Sequence, residues 1–340
     1  MQKLRHAIIG CGRIAQNHFN ACRANDIDVV CCCDLDVLKG RMFAERNNIS
    51  LFTENYLDLT SSNGVDSVSI CTDHGSHVEI ANAFSNKKHI VVEKPLALSL
   101  EDANKIKFMH SSKVVTIISQ HRFDNLVNFV KKILKENALG NVTLVNAVLR
   151  CFRDIEYYDK SYWRGTCDLE GGSTVINQAY HIVDIILYLF GLPIEVNSFI
   201  DTFKYRDVIE TEDTCVAIFR YPNILVSFAS TNTAVTDWCT SIEIIGTKGS
   251  LIFTIDFPEN FIKIDVSENF QERYKDELFR IRENYVMNLK SPVNYYGLSH
   301  NLQFSNFKDA VLNGKVIKVG VRQALDTLSV IEEIYRCGKH

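Results

Sequence analysis

The chain has 340 residues, 46% hydrophobic and 23% charged, which is enough apolar material for two ordinary cores. A net charge of −4 excludes the clustered basic footprint that a nucleic-acid surface needs. No run approaches the roughly 18 apolar residues of a membrane span. The apolar stretch near the start, residues 7–9, is too short for a signal-peptide core, so a cytoplasmic location is expected.

The first 120 residues alternate two kinds of segment. Short apolar runs at 6–9, 28–33, 65–71, 89–92 and 114–119 read as strands, and helical spacing at 14–24, 37–47, 77–86 and 100–111 separates them. This alternation predicts an α/β fold opening with a Rossmann-type, doubly wound parallel sheet covered on both faces. The eleven cysteines are odd in number and form no C-x-x-C pair. Cys31, Cys32 and Cys33 read as small buried hydrophobes on a strand, and no metal is expected.

Beyond residue 122 the rhythm changes. A helix at 125–136 ends towards Gly140, and strands follow at 142–150, 196–203, 214–221 and 224–231. Two more, at 241–245 and 250–255, flank the hairpin signal Gly246-Thr247-Lys248-Gly249. One strongly apolar helix, 173–190, closes at Gly191 and Pro193, and 322–336 forms an amphipathic terminal helix. The expectation is an α+β domain with a large, mostly antiparallel open sheet. The predicted boundary puts residues 1–122 in the first domain and 123–340 in a substrate-binding and oligomerisation domain, whose terminal helix can pack back on the first.

Gly10-Cys11-Gly12-Arg13-Ile14-Ala15 follows a strand and opens a helix. Gly10 permits the tight turn, Gly12 the approach of a pyrophosphate, and Ala15 close packing of helix on sheet. Asp34 ends the second strand, where a carboxylate can accept hydrogen bonds from a ribose and disfavour a 2′-phosphate; NAD is therefore favoured over NADP. Thr72 and His77 flank another strand end, where open α/β sheets bind ligands. Glu93-Lys94-Pro95 closes a third strand, with the proline restricting Lys94 to extended geometry or a cis bond.

These motifs, together with Gln120-His121-Arg122-Phe123, Tyr162-Trp163-Arg164-Gly165-Thr166, Gly171-Gly172-Ser173, Asn177-Gln178-Ala179-Tyr180-His181 and Asp184, resemble the Gfo/Idh/MocA oxidoreductase family in order from about residue 8 to 249. The segment from Trp163 to His181 is similar to nucleotide-sugar 3-dehydrogenases, which act on UDP-N-acetylglucosamine or its uronic acid. The resemblance implies Lys94 and His181 as the catalytic pair. It implies cofactor contacts from Gly10, Gly12, Arg13, Ile14, Asp34, Thr72, His77, Glu93, Lys94, Gln120, Trp163 and Arg164. Substrate contacts are implied for Lys94, Tyr162, Asn177, Gln178, His181 and Tyr296. Arg153, Tyr157 and Tyr158 are further candidates for a sugar or its phosphates, and His300 and Gln303 for the same cleft.

Two departures stand out. Asn177 occupies a position where many relatives carry Asp, and an amide cannot act as a base, so it is read as orienting substrate. Asp73-His74 replaces a common Pro-Asn. Asn177 and His181 are four apart and would share one helix face, with Asp184 nearby. The expected activity is NAD-dependent hydride transfer with a sugar hydroxyl. The alternatives are a ketosugar reductase on a dTDP-linked or free sugar or cyclitol, and a non-catalytic dinucleotide-binding regulator. The family's open sheet face implies a homodimer or homotetramer.

Overall fold

The computed structural model describes residues 3–236, 238–255, 263–266, 272, 274–281 and 295–338. They form two compact units, Met1–Gln120 with Tyr296–Leu328, and His121–Tyr295 with Ser329–His340.

In the first unit the chain runs β1 (Arg5–Ile9), α1 (Ala15–Ala24), β2 (Asp28–Cys33), α2 (Val37–Asn47), β3 (Leu51–Thr53), β4 (Ser67–Ile70), α3 (His77–Phe84), β5 (His89–Val92), α4 (Leu100–Ala103) and β6 (Val115–Ile117). The strands pair in parallel in the order β3-β2-β1-β4-β5-β6. This is the doubly wound sheet expected from the alternation, with its topological switch between β1 and β4. Strand periodicity explains the cysteine triplet. Cys31 and Cys33 enter one core with Ala7 and Ile9, while Cys32 points to the other core with Ile8. A sheet buried on both faces needs apolar residues at every position, and cysteine is small enough for either side.

Three features were not legible. Strand β3 has only three residues, too few for a periodic signal. The helix expected over 100–111 stops at Ala103, because the Asn82 amide takes its backbone groups. Asn82 donates to Lys105 O at 2.9 Å and accepts from Lys107 N at 2.7 Å. The helix Tyr295–Asn313 carries Phe304 and Phe307 into a core with Leu4, Ile27, Val91 and Ile118. Its apolar stripe is interrupted by buried polar groups, which hides it from a periodicity search. Gln303 is one of these, and the expectation that it faces substrate is corrected here. It is buried, accepts from Ser119 N (3.1 Å) and donates to Ile117 O (2.7 Å), locking the helix to the end of β6.

The second unit contains α5 (Asn125–Lys135), β7 (Val142–Arg150), α6 (Ile155–Asp159), α7 (Tyr180–Phe190), β8 (Glu195–Asp201), β9 (Thr214–Arg220), β10 (Leu225–Thr231), β11 (Cys239–Gly246), β12 (Gly249–Phe253) and β13 (Lys263–Val266). Its sheet order is β13-β12-β11-β7-β10-β9-β8, antiparallel except for the parallel β7–β10 pair. Alternation is clean: Val145, Ala147, Leu149, Phe219, Phe228, Ile242 and Ile244 are buried, while Phe199, Val216, Ile218 and Leu225 are exposed. Helix α7 is buried from Tyr180 to Leu187, as its largely apolar sequence requires. No helix among the described residues is long and apolar enough to cross a membrane.

Asp184 sits inside this apolar helix and is neutralised by Arg122 in a two-pronged pair, with Nε–Oδ2 and Nη2–Oδ1 both 2.8 Å. Both side chains are buried. Removing one partner of a buried ion pair leaves the other charge uncompensated, a loss of roughly 3–5 kcal/mol. Asp184→Ala is therefore expected to lower the unfolding free energy obtained from urea denaturation by that amount, and a value within about 1 kcal/mol of wild type would contradict it.

Candidate active site

The first unit builds a dinucleotide cradle at its switch point. Gly10 has φ +86°, and a Cβ there would lie 2.6 Å from Cys71 O, so only glycine fits. A Cβ at Gly12 would meet nothing closer than 3.9 Å, leaving room for a ligand against the backbone. Helix α1 has no side-chain cap, so its first N–H groups face the loop. Arg13 is exposed and Ile14 half-buried beside them. Asp34 turns back on the loop: its carboxylate accepts from Cys11 N (2.7 Å) and Asp36 N (2.9 Å), with Lys39 Nζ at 3.3 Å. Thr72 is half-buried, its hydroxyl accepting from Ser76 Oγ at 2.7 Å. The helix start without a side-chain cap, the two glycines and the acidic strand end fit a dinucleotide.

The Lys94–Pro95 peptide is cis, and its flanks are tied down. His77 is fully buried; its Nδ1 lies 2.7 Å from Pro95 O and its Nε2 3.3 Å from Thr72 O, so the ring is spent on holding this segment. Burial lowers its pKa. Glu93 is also turned inwards, one oxygen 2.8 Å from His18 Nε2 and the other accepting from Lys94 N at 3.1 Å. Burial alone would raise this carboxyl, but the hydrogen bond from His18 and the nearby His300 ring, at 3.6 Å, outweigh it and hold it well below the usual range. Lys94 itself is half-buried. His18, Glu93 and His300 bring ligand-capable atoms within 4.8 Å of one another, a convergence the sequence reading did not foresee.

In the second unit, residues Thr174–Gln178 form a single π-turn, and α7 begins only at Tyr180. The expectation that Asn177 and His181 share one regular helix is corrected by this break. Its cause is a set of buried acceptors. Glu212 accepts from Ser173 N (3.1 Å) and Val175 N (2.9 Å), and Tyr335 Oη accepts from Ile176 N (3.1 Å) while donating to Glu212 (2.9 Å). Gly172, at φ +149°, leaves the space that Tyr335 Oη occupies. Wide turns of this kind often mark functional segments. Asn177 donates its amide to Glu170. His181 is buried and lies edge-on to His121, ring centres 5.0 Å apart, and His121 Nδ1 pairs with Asp124 at 2.7 Å. Asp184, expected beside His181, is instead consumed by Arg122.

Gln178 is held by Arg153 Nη2 (2.7 Å) and donates to Tyr157 Oη (3.0 Å). The guanidinium carbons of Arg153 and Arg164 lie 4.8 and 4.1 Å from the Tyr157 ring centre. Neither Nε has a hydrogen-bond partner among the described residues. Two cations, an aromatic face and an amide thus gather on one surface of this unit. Tyr162 is exposed and Trp163 half-buried, the latter under Arg164 at 5.2 Å. Tyr158 does not join them. It is buried against Ser173 and Asn232, correcting its reading as a sugar ligand. Gln120 and His300 are fully buried. The side chain of Tyr296 falls outside the described residues.

Known proteins with these features are consistent with one another. Residues 4–121 match the model of the oxidoreductase family with NAD-binding Rossmann fold, and 127–252 match the GFO/IDH/MocA C-terminal domain. Together the two take in well over half of the chain, and the protein belongs to the Gfo/Idh/MocA oxidoreductase family. It is an NAD-binding oxidoreductase of a family that includes sugar and cyclitol dehydrogenases. Myo-inositol 2-dehydrogenase of Thermotoga maritima is 24% identical over 85% of this chain and 89% of its own. Among solved structures, the WlbA dehydrogenase of Bordetella pertussis with NADH and UDP-GlcNAcA superposes with a TM-score of 0.86 at 24% identity, covering 99% of this chain and 96% of its own. WlbA of Chromobacterium violaceum, in the same kind of complex, gives 0.85 at 26% identity over 99% and 94%.

Glu170 is the site residue the sequence reading missed, although it directly precedes Gly171-Gly172. It is fully buried, accepts from Gly165 N and from the Asn177 amide, and burial raises its pKa to about 7. An acid whose folded-state pKa is raised favours the fold most below its unfolded pKa and loses that contribution as pH rises to the folded value. The loss is on the order of 3 kcal/mol between about pH 4.5 and 7. Glu170→Gln is expected to flatten the fall in melting temperature over this range; an unchanged pH profile would rule the assignment out.

Proposed function

We propose that the protein oxidises a secondary hydroxyl of a nucleotide sugar, C3 of a UDP-N-acetylhexosamine or its uronic acid, with NAD as acceptor. The observation that carries this reading is the Arg153–Tyr157–Arg164–Gln178 cluster. Two guanidinium groups gathered on one tyrosine suit a diphosphate or a uronate, and the aromatic face suits a sugar or uracil ring. The WlbA structures, solved with NADH and UDP-GlcNAcA, support the same substrate class.

When bound, NAD accepts the hydride leaving the carbinol carbon. The hydroxyl proton must then pass to a side chain, because an alcohol does not surrender it near neutral pH. His181 is assigned as that base, and the same group returns the proton in the reverse direction. Lys94 stabilises the negative charge growing on the reacting oxygen. Asn177, its amide fixed by Glu170, orients the sugar; Gln178, Tyr162 and Tyr296 are assigned to substrate. Gly10, Gly12, Arg13, Ile14, Asp34 and Thr72 hold the cofactor, with Gln120, Trp163 and Arg164 assigned beside it. His77 and Glu93 serve by shaping the Lys94 segment. Residues 1–122 are assigned to cofactor binding, with residues 296–328 completing that unit, and the rest of 123–340 to substrate binding and assembly. The eleven free thiols support a cytosolic setting.

The exposed row Phe199, Val216, Ile218 and Leu225 on strands β8–β10 is assigned to a contact with a second copy. Ile218→Glu is expected to shift the protein towards monomer in light scattering; an unaltered mass would remove this face from the assembly.

Turnover is tested by following NADH absorbance with UDP-N-acetylglucosamine, its uronic acid and, as control, myo-inositol. Lys94→Ala and His181→Ala are each expected to lower kcat by roughly 10²–10⁴. Arg164→Ala is expected to raise KM for the nucleotide sugar about tenfold or more. Reduction with myo-inositol and none with the nucleotide sugars would move the assignment to a cyclitol.

A further inference from the structure

Behind the Lys94 segment lies a line of buried polar groups that the reaction itself does not use. His6 on β1, Ser67 and Ser69 on β4, His18 on α1 and Glu93 after β5 are all buried. His6 Nδ1 is 2.7 Å from Ser67 Oγ, and its Nε2 is 2.7 Å from Ser69 Oγ. Ser69 Oγ is 2.8 Å from His18 Nδ1, and His18 Nε2 is 2.8 Å from Glu93 Oε1. The other Glu93 oxygen accepts from Lys94 N at 3.1 Å.

The carboxylate sets the direction of every proton in this line. Glu93 only accepts, so His18 carries its proton on Nε2. Burial lowers the pKa of both imidazoles, His6 to about 3, so each is neutral and has one bare nitrogen. His18 Nδ1 is then an acceptor and Ser69 donates to it. Ser69 has a single proton, so its oxygen accepts from His6 Nε2–H, and Ser67 donates to His6 Nδ1. One tautomer of each ring satisfies all four contacts. His300 Nε2 is further from Glu93, at 3.6 Å, which leaves His18 as the nearer donor.

We propose that His18 is a positioning residue for Lys94: its Nε2–H fixes the Glu93 carboxylate, which in turn holds the Lys94 backbone amide and so aims the lysine. This rests on the role given to Lys94 above. A donor two bonds removed from the chemistry can matter this much because misplacing a reacting group by about 1 Å can cost a hundredfold in rate. The same line explains why α1 carries a histidine on its buried face, where a hydrophobe would pack as well.

The test uses the full NAD-bound protein and reads hydrogen exchange of the Lys94 amide by mass spectrometry in wild type, His18→Met, His18→Gln and Ser69→Ala. His18→Met keeps the volume but loses the donor, and is expected to speed that exchange by on the order of tenfold. His18→Gln retains an N–H near the Nε2 position and is expected to stay within about threefold of wild type. With whichever sugar supports NADH formation, kcat should fall about 10- to 100-fold in His18→Met at nearly constant KM, and recover in His18→Gln. A role in stability alone would lower the melting temperature without this split or this rescue. If His18→Met does not fold, Ser69→Ala removes the hydroxyl that holds His18 Nδ1 and should loosen the same amide. Unchanged Lys94 exchange in the folded variants, or a His18→Gln no better than His18→Met, overturns the proposal. So does a stoichiometric metal in the purified protein that His18→Met loses, since His18 would then be a ligand. Retained turnover in Lys94→Ala would instead defeat the functional reading and leave the exchange result standing.

Discussion

Four carboxylates that accept main-chain N–H groups hold the functional segments in place. Asp34 takes the amide of Cys11 in the glycine loop, and Glu93 that of Lys94. Glu170 takes the amide of Gly165, and Glu212 those of Ser173 and Val175 at the mouth of the π-turn. Loops and irregular turns expose backbone donors that no ladder satisfies, and a buried unpaired donor costs about 1–3 kcal/mol. A charged acceptor meets that need strongly and directionally. Each segment can therefore leave regular secondary structure without losing its shape, and each carries residues assigned to cofactor or substrate.

The arrangement has an electrostatic cost. Glu170 and Glu212 are buried, and burial raises both carboxyl pKa values. Glu93 escapes this because histidine donors reach it from the far side. Glu170, raised to about 7, is thus close to neutralisation in ordinary buffers and Glu212 is shifted in the same direction, whereas the anchor behind Lys94 stays ionised. The half of the protein assigned to sugar binding is accordingly the more sensitive to pH.

Much of this was legible in the sequence. The parallel sheet, the Gly10–Ala15 turn, Asp34 and the open second sheet all follow from periodicity and glycine placement. What escaped was non-local. Glu212 and Tyr335 bind a turn about 40 and 160 residues away in sequence, and no local pattern pairs them with Val175 and Ile176. The break before Tyr180 was invisible for the same reason: an apolar run predicts one helix unless distant acceptors claim its first N–H groups. His77 and Gln303 were visible as polar residues near strand ends or on a helix, but sequence cannot tell a group facing a ligand from one tying down a loop.

The discontinuity of the first unit bears on how the chain is made. Strands β1 to β6 emerge early, yet Phe304 and Phe307, which cover Leu4, Val91 and Ile118, are synthesised well over a hundred residues later, as are Val321 and Ala324 in the neighbouring core. In the second unit β7 pairs with β10 and β11, and must wait for both. The first unit cannot close its core until residues 296–328 have been made, so its apolar sheet stays uncovered while the intervening residues are synthesised. Chaperone demand should accordingly be set by when residues 296–328 appear, and a fragment ending before Tyr295 is a poor surrogate for the nucleotide-binding unit.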